Sequence, residues 1–204
     1  MLRAMPGLFT FGLVAYPVLV YVALGVVSPR TIALGTLGLF ALRAVLTKPG
    51  RLWTYAGVFS PVGVAVAATA VWGAWSGDPR PLLLEPAASN LALLGAFGAS
   101  LFREQSAIER LARAQVGELP PYEVTYCRKV TGVWCAFFAA NAAACAGFAL
   151  YGSRESWAVY TGAVSYVLIG ALFASEYVYR HWRFRRYHGA RTDGLLKRWF
   201  PPRA

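Results

Sequence analysis

Long apolar runs, almost free of charged residues, constrain the fold of this chain more than any other feature. Charged residues make up only 14% of its 204 positions, and they cluster between the runs. Typical soluble domains carry about 25% charged residues. A helix of about 20 apolar residues crosses the hydrocarbon core of a bilayer, which is about 30 Å thick. The pattern therefore predicts an integral membrane protein.

The predicted fold class is all-α, with about six transmembrane helices in a polytopic membrane protein. Lipid offers no partner to unpaired backbone groups, and the runs are too long for the strands of a barrel. The expected spans are residues 7–27, 31–46, 54–75, 81–102, 129–151 and 157–179. They make a single domain over residues 1–186, and a basic tail follows at 187–204.

Two of these runs allow a second interpretation. The run at 7–27 follows Arg3 and could belong to a signal peptide, but it exceeds the usual apolar core of about 7–15 residues. It is therefore expected to be a retained span. The run at 31–46 is short and contains Arg43, so a re-entrant loop is its alternative. A span is favoured because an arginine near a helix end can extend to the headgroups.

Basic residues are concentrated on one predicted side of the membrane. The net charge is +11, and seventeen of the 20 Lys and Arg fall on the side that holds both termini. The opposite side has Arg30, Arg80 and Arg154. The positive-inside rule then places both termini in the cytoplasm. Without a nucleic-acid-binding motif, the expected partners of this charge are anionic lipid headgroups rather than nucleic acid.

The segment between the fourth and fifth runs predicts a short cytoplasmic amphipathic helix. Ser106 and Glu109 fit a capping box, and Gly117 is a plausible stop. Pro121 suits the first turn of the next helix. The apolar residues of the short helix fall on one face, which we expect to lie along the inner membrane surface. These residues are Ile108, Leu111, Ala112 and Val116.

Cations and a tyrosine on this segment, at the start of the fifth run and just after the sixth run form a candidate site for an anionic partner or a lipid headgroup. They are Arg103, Arg110, Arg113, Tyr126, Arg128, Lys129, Arg180 and Arg183. In one interpretation the arginines contact lipid phosphates and set the topology. In the other they form a basic pocket for a phosphate, a headgroup or a phosphopantetheine-bearing partner, since the arginine fork suits phosphate.

Four polar residues are candidates for an intramembrane role: Asn90, Asn141, Glu176 and Arg43. The two amides are expected to bond between helices. Glu176 is expected to pair with a cation at its own depth, namely Arg43, Arg128 or Lys129.

Helical spacing predicts two further packing features. One is a buried seam on the fifth span, made of Thr131, Trp134, Phe138, Asn141 and Cys145. The other is close internal packing at Gly170 and Ala174.

Catalysis has little support in the sequence, and no catalytic residue, cofactor or metal ligand is predicted. His181 and His188 have no acidic neighbours suited to a metal. Cys127, Cys135 and Cys145 lack CxxC spacing and are expected to be small buried apolar residues.

The run "IERLARAQVGELPPYEVTYCRKVTGVWCAFF", with "WAVYTGAVSYVLIGALFASEYVYR" at 157–180, resembles an uncharacterised family of bacterial inner-membrane proteins. Members occur in gene clusters for aryl polyene and xanthomonadin-type pigments. The resemblance covers about residues 85–186. The matching positions are Glu109, Arg110, Arg113, Pro120, Pro121, Tyr126, Arg128, Thr131, Trp134, Phe137, Phe138, Asn141, Trp157, Tyr160, Glu176 and Arg180. This chain has Tyr-Cys-Arg-Lys at 126–129 where the family usually has Tyr-Thr-Arg-Arg.

The resemblance implies a pathway rather than an activity: a polyene acyl chain is built on carrier proteins and joined to a membrane lipid. The expected function is a non-enzymatic accessory protein that recruits an acyl carrier protein or synthase, or holds the lipid-linked product. The alternatives are a small transporter or flippase subunit and, with less support, a membrane transferase.

Overall fold

All regular secondary structure is helical in the part that the computed structural model describes, namely residues 19–46, 53–185, 194 and 198–201. The side chains of residues 40–46, 53–59, 115 and 116 lie outside that description. No strand occurs among the described residues. The all-α class predicted from the sequence is confirmed.

Most helices follow the predicted spans closely. In chain order they are α1 (Pro29–Leu46), α2 (Trp53–Ser76), α3 (Arg80–Leu101), α4 (Ala107–Val116), α5 (Pro121–Tyr151), α6 (Arg154–Val159), a π-helical segment (Tyr160–Val164) and α7 (Ser165–Phe184). Residues 19–23 are also helical, but most of the predicted first span, 7–18, is outside the described residues. So is the predicted tail, apart from residues 194 and 198–201.

Three helices among the described residues are long and apolar enough to cross a membrane. They are α3, α5 and the continuous helix Arg154–Phe184, which contains the π-helical segment. The chain is therefore a membrane-associated protein. Because α5 has 31 residues, it is about 46 Å long and exceeds the hydrocarbon core by roughly 15 Å. The charged residues of α5, Glu123, Arg128 and Lys129, all lie toward its Pro121 end.

The chain divides into two compact units, Met1–Ala163 and Val164–Ala204, and the boundary falls inside the π-helical segment. The core of the first unit includes Val20, Ala33, Leu82, Leu83 and Trp157. A second group of packed rings lies where α3 meets α5, with the centroids of Phe97 and Phe138 5.1 Å apart. All five residues of the predicted seam on α5 are buried, so this prediction is confirmed.

Gly152, which ends α5, has no room for a side chain. A Cβ there would lie 2.7 Å from the Phe148 carbonyl oxygen and 2.9 Å from Ser156 Oγ. We expect Gly152→Ala to lower the free energy of unfolding by about 1–3 kcal/mol, because backbone must move to admit the methyl group. Reversible unfolding in mixed detergent micelles measures this change.

The matched control for this substitution is Gly147→Ala, on the same helix, where a Cβ would meet no atom within 4 Å. Alanine is the better helix former by about 0.5–1 kcal/mol, so the control should be neutral or stabilising. Equal losses at positions 147 and 152 would contradict the steric account.

Candidate functional site

The predicted basic segment, residues 103–129, has the local structure that the sequence indicates. Ser106 Oγ accepts a hydrogen bond from the Glu109 amide at 3.4 Å, which caps the first turn of α4. Gly117 ends the helix with φ of 79°, a conformation that glycine adopts without a steric penalty. Pro121 is the first residue of α5. The predicted cap at Ser106, the end of the helix at Gly117 and the start of the next helix at Pro121 are confirmed.

Two buried hydroxyls attach the start of α4 to its neighbours. Ser100 Oγ, near the end of α3, accepts from the Ala107 amide at 2.8 Å. Thr131 Oγ1, on α5, accepts from the Ile108 amide at 3.3 Å. Amides of a first helical turn have no partner within the helix, so these side chains satisfy them and hold α4 in place.

Arg128 binds the backbone at the end of α3. Its Nη1 donates to the Leu101 carbonyl at 3.1 Å, and its Nη2 donates to the carbonyls of Arg103 and Glu104 at 2.9 and 3.2 Å. Cations are favourable at a helix C-terminus, where carbonyls lack partners. Arg128 was predicted to bind an anion, but the structure places these nitrogens on backbone oxygens.

The acidic residue of α4 is buried, contrary to a simple amphipathic pattern. Glu109 is only 2% exposed, whereas Ile108 and Leu111 are partly exposed. Its Oε1 accepts from Arg113 Nε at 2.9 Å, the i,i+4 pair that the sequence indicates. Arg113 is thus neutralised within α4, and it has less charge to offer an external anion than the sequence suggested.

Arg103 and Lys129 are exposed, and their side chains make no ion pair or hydrogen bond with the described part of the chain. The backbone of Arg103 is fixed by Arg128. Arg110 and Tyr126 are partly buried, and Arg110 Nε is a buried donor that has no described acceptor. Within this segment, Arg103 and Lys129 are therefore the cations best placed to meet an anion.

In the second unit, Glu176 pairs with Arg180 on its own helix. Arg180 Nη2 and Nε lie 2.6 and 2.9 Å from Glu176 Oε1. Glu176 was expected to find a cation, but Arg180 was not among the three named for it. The side chain of Arg43, one of those three, lies outside the described residues. Arg183 is exposed on α7.

The two amides predicted to lie in the membrane join in a network of hydrogen bonds across the first unit. Asn141 Nδ2 donates to Asn90 Oδ1 at 3.1 Å, and the Tyr160 hydroxyl donates to Asn141 Oδ1 at 2.9 Å. Asn90 Nδ2 donates to the Pro86 carbonyl at 2.8 Å. Tyr160 also stacks on Phe148 with ring centroids 4.8 Å apart. The sequence pointed to a bond between helices but not to Tyr160, because tertiary packing alone brings that hydroxyl to Asn141.

The hydrogen bonds that join Asn90, Asn141 and Tyr160 should be energetically coupled. We expect Asn141→Ala and Tyr160→Phe each to cost about 0.5–2 kcal/mol of unfolding free energy. The loss in the double variant should be smaller than the sum of the single losses, because either change removes the same hydrogen bond. A double-mutant cycle in detergent micelles measures the coupling. Strict additivity would indicate that the Tyr160 hydroxyl contributes nothing through Asn141.

The described residues contain no group of three or more His, Cys, Asp or Glu that could hold a metal ion. Cys127 and Cys145 are buried, and Cys135 is partly buried. No protein-family model, curated protein or solved structure matches the chain. The resemblance to pigment-cluster membrane proteins rests on the sequence motif alone.

Proposed function

We propose that the protein is a non-enzymatic accessory protein of the bacterial inner membrane in an aryl polyene-type pigment pathway. Its basic segment, residues 103–129, recruits an acidic acyl carrier protein or a synthase, or holds the lipid-linked product. The motif within residues 109–180 supports the pathway by resemblance. The contacts of the cations on the basic segment support the binding role.

One observation carries this proposal: exposed cations project from a backbone that hydrogen bonds from other side chains hold in place. The guanidinium of Arg128 holds the carbonyl of Arg103, while Lys129 follows Arg128 on α5. A fixed surface loses less conformational entropy when a partner binds. Complementary charge also steers the encounter with an acidic partner. The same surface suits anionic headgroups, whose attraction to basic residues near the membrane is about 1 kcal/mol for each charge.

The proposal includes six spans with both termini in the cytoplasm. Support comes from the charge asymmetry between the connecting segments and from α2, which has 24 residues and no charged side chain. In this orientation the basic segment faces the compartment in which carrier proteins work.

Removing the exposed charges should weaken carrier binding. We expect Arg103→Gln with Lys129→Gln to reduce the affinity of inverted membrane vesicles for the pathway's acyl carrier protein by about 3- to 30-fold. Each of the two exposed charge pairs contributes up to about 1 kcal/mol, so their joint loss is at most about 2 kcal/mol. The residual affinity should depend less on salt. Vesicle co-sedimentation with a fluorescent carrier measures both quantities.

The matched control is Arg80→Gln with Arg154→Gln, which removes two exposed charges from the predicted outer side. It should leave carrier binding to inverted vesicles unchanged, and vesicles of the opposite orientation should not bind the carrier. Equal losses in the two variants, or binding to both vesicle orientations, would refute the proposed surface.

The transport alternative has no specific support from the intramembrane amides. Asn90, Asn141 and Tyr160 satisfy one another, whereas a hydrated path needs polar groups that face water. We therefore keep the accessory role as the single proposal.

A further inference from the structure

Glu85 is a carboxyl group buried within a helix that is long and apolar enough to span a membrane. It lies on α3, directly before Pro86, and only 7% of the residue is exposed. An isolated ionised carboxylate is very costly in a medium of low dielectric constant. Ionisable residues inside membrane segments are rare and usually belong to ion or proton sites. Neither the basic segment nor its proposed partner involves this residue.

No cation compensates a charge on Glu85 among the residues whose side chains are described. Its Oε1 accepts a hydrogen bond from Ser89 Oγ, one turn later on α3. The neighbouring helix α2 carries no charged residue. From α5 comes the buried thiol of Cys145, which interacts electrostatically with Glu85. The hydroxyl of Tyr160, in the π-helical segment that follows α6, interacts electrostatically with Cys145. From α1, whose Ala33 packs with Leu82 and Leu83, the described charged side chain is Arg30. Its guanidinium lies beside Gly77 in the turn before α3 and makes no ion pair with Glu85.

We propose that Glu85 is a proton-binding site of the membrane domain, a carboxylic acid that carries its proton in the resting protein and exchanges it with water. The neutral acid needs no counter-ion, and one hydrogen bond from Ser89 satisfies Oε1. This inference is independent of the accessory function, because it concerns α3 and its neighbours and none of the cations at 103–129.

A hydrophobic carbodiimide tests the proposal, because it reacts with protonated carboxyls in apolar surroundings. The acid proton moves to one carbodiimide nitrogen, and the carboxylate oxygen bonds to the central carbon. An oxygen-to-nitrogen acyl shift then gives a stable N-acylurea that retains both reactants. The experiment treats the full chain in vesicles with dicyclohexylcarbodiimide, and peptide mass spectrometry locates the adduct.

We expect labelling of Glu85 to exceed that of the exposed residues Glu104 and Glu155 by at least about tenfold, because only the buried acid is held neutral without a counter-ion. Glu85→Gln should lose the adduct and keep the melting temperature of the wild-type protein, since the amide is also neutral and can accept from Ser89. A marked fall in its melting temperature would indicate an ionised Glu85 with a cationic partner and would overturn the proposal.

The dependence of labelling on pH separates a proton-exchanging site from an inert buried acid. For an exchanging site, the labelling rate should fall as the pH is raised and recover when the pH is lowered again. Labelling that stays constant over the range in which the protein remains folded would overturn the proposal. So would an adduct that forms only after the protein is unfolded in detergent.

Discussion

Trp157→Ala should lower the free energy of unfolding by about 3–5 kcal/mol, the cost typical of deleting a large buried aromatic side chain. Trp157 is 1% exposed and belongs to the core cluster of the first unit. Its indole N–H donates to the Leu83 carbonyl at 2.9 Å, which ties α6 to α3. The substitution removes the ring and that hydrogen bond together. Reversible unfolding in mixed micelles measures the loss.

Two further variants divide this loss into its parts. Trp157→Phe retains an aromatic ring but lacks the N–H, so it should lose only part of the stability. Trp75→Ala removes the same side chain at a site that is 83% exposed, and it should change stability by less than about 1 kcal/mol. A loss at position 157 no larger than that at position 75 would contradict the packing described for α6.

The helix boundaries could be predicted because their causes lie within a few residues of each boundary. A cap, a positive-φ glycine and a proline set the limits of α4 and the start of α5. The seam on α5 also followed from periodicity, since a helix of known phase presents the same face along its length. In each case the information was local in the sequence.

The contacts of the charged side chains were harder to predict, because a charge alone does not show which group it pairs with. Arg128 meets carbonyls of residues 101, 103 and 104, which are more than 20 positions away along the chain. Glu176 had a suitable arginine four residues later, yet the prediction looked for cations on other helices. The short distance along one helix was the better guide for Glu176, and no sequence signal was available for Arg128.

The expected close packing at Gly170 and Ala174 is not found among the described residues of the second unit. Both residues are exposed on α7, and a Cβ at Gly170 would meet no atom within 4 Å. Small residues permit a close approach between helices but do not require one. In a chain with 20 glycines, such pairs arise often, so their spacing alone carried little information.

Phe138→Ala should produce a loss comparable to that of Trp157→Ala, about 3–5 kcal/mol, in a different part of the first unit. Phe138 is 5% exposed, and its ring centroid lies 5.1 Å from that of Phe97 on α3 and 5.5 Å from that of Trp134. The edge-to-face geometry with Phe97 adds about 0.5–1.5 kcal/mol to the apolar burial. These rings join α3 to α5, so the loss of Phe138 should loosen the contact between the two helices that flank the basic segment.

The matched control for Phe138 is Phe102→Ala, at a phenylalanine that is 92% exposed just after α3. It should leave the unfolding free energy nearly unchanged, although it lies next to Arg103. Carrier binding by the Phe138 variant, measured below its unfolding transition, distinguishes two consequences. If α3 and α5 must be held together to present Arg103 and Lys129, binding weakens before the protein unfolds. If binding persists unchanged until the transition, the hydrogen bonds of Arg128, Ser100 and Thr131 suffice to hold that surface without the aromatic contact.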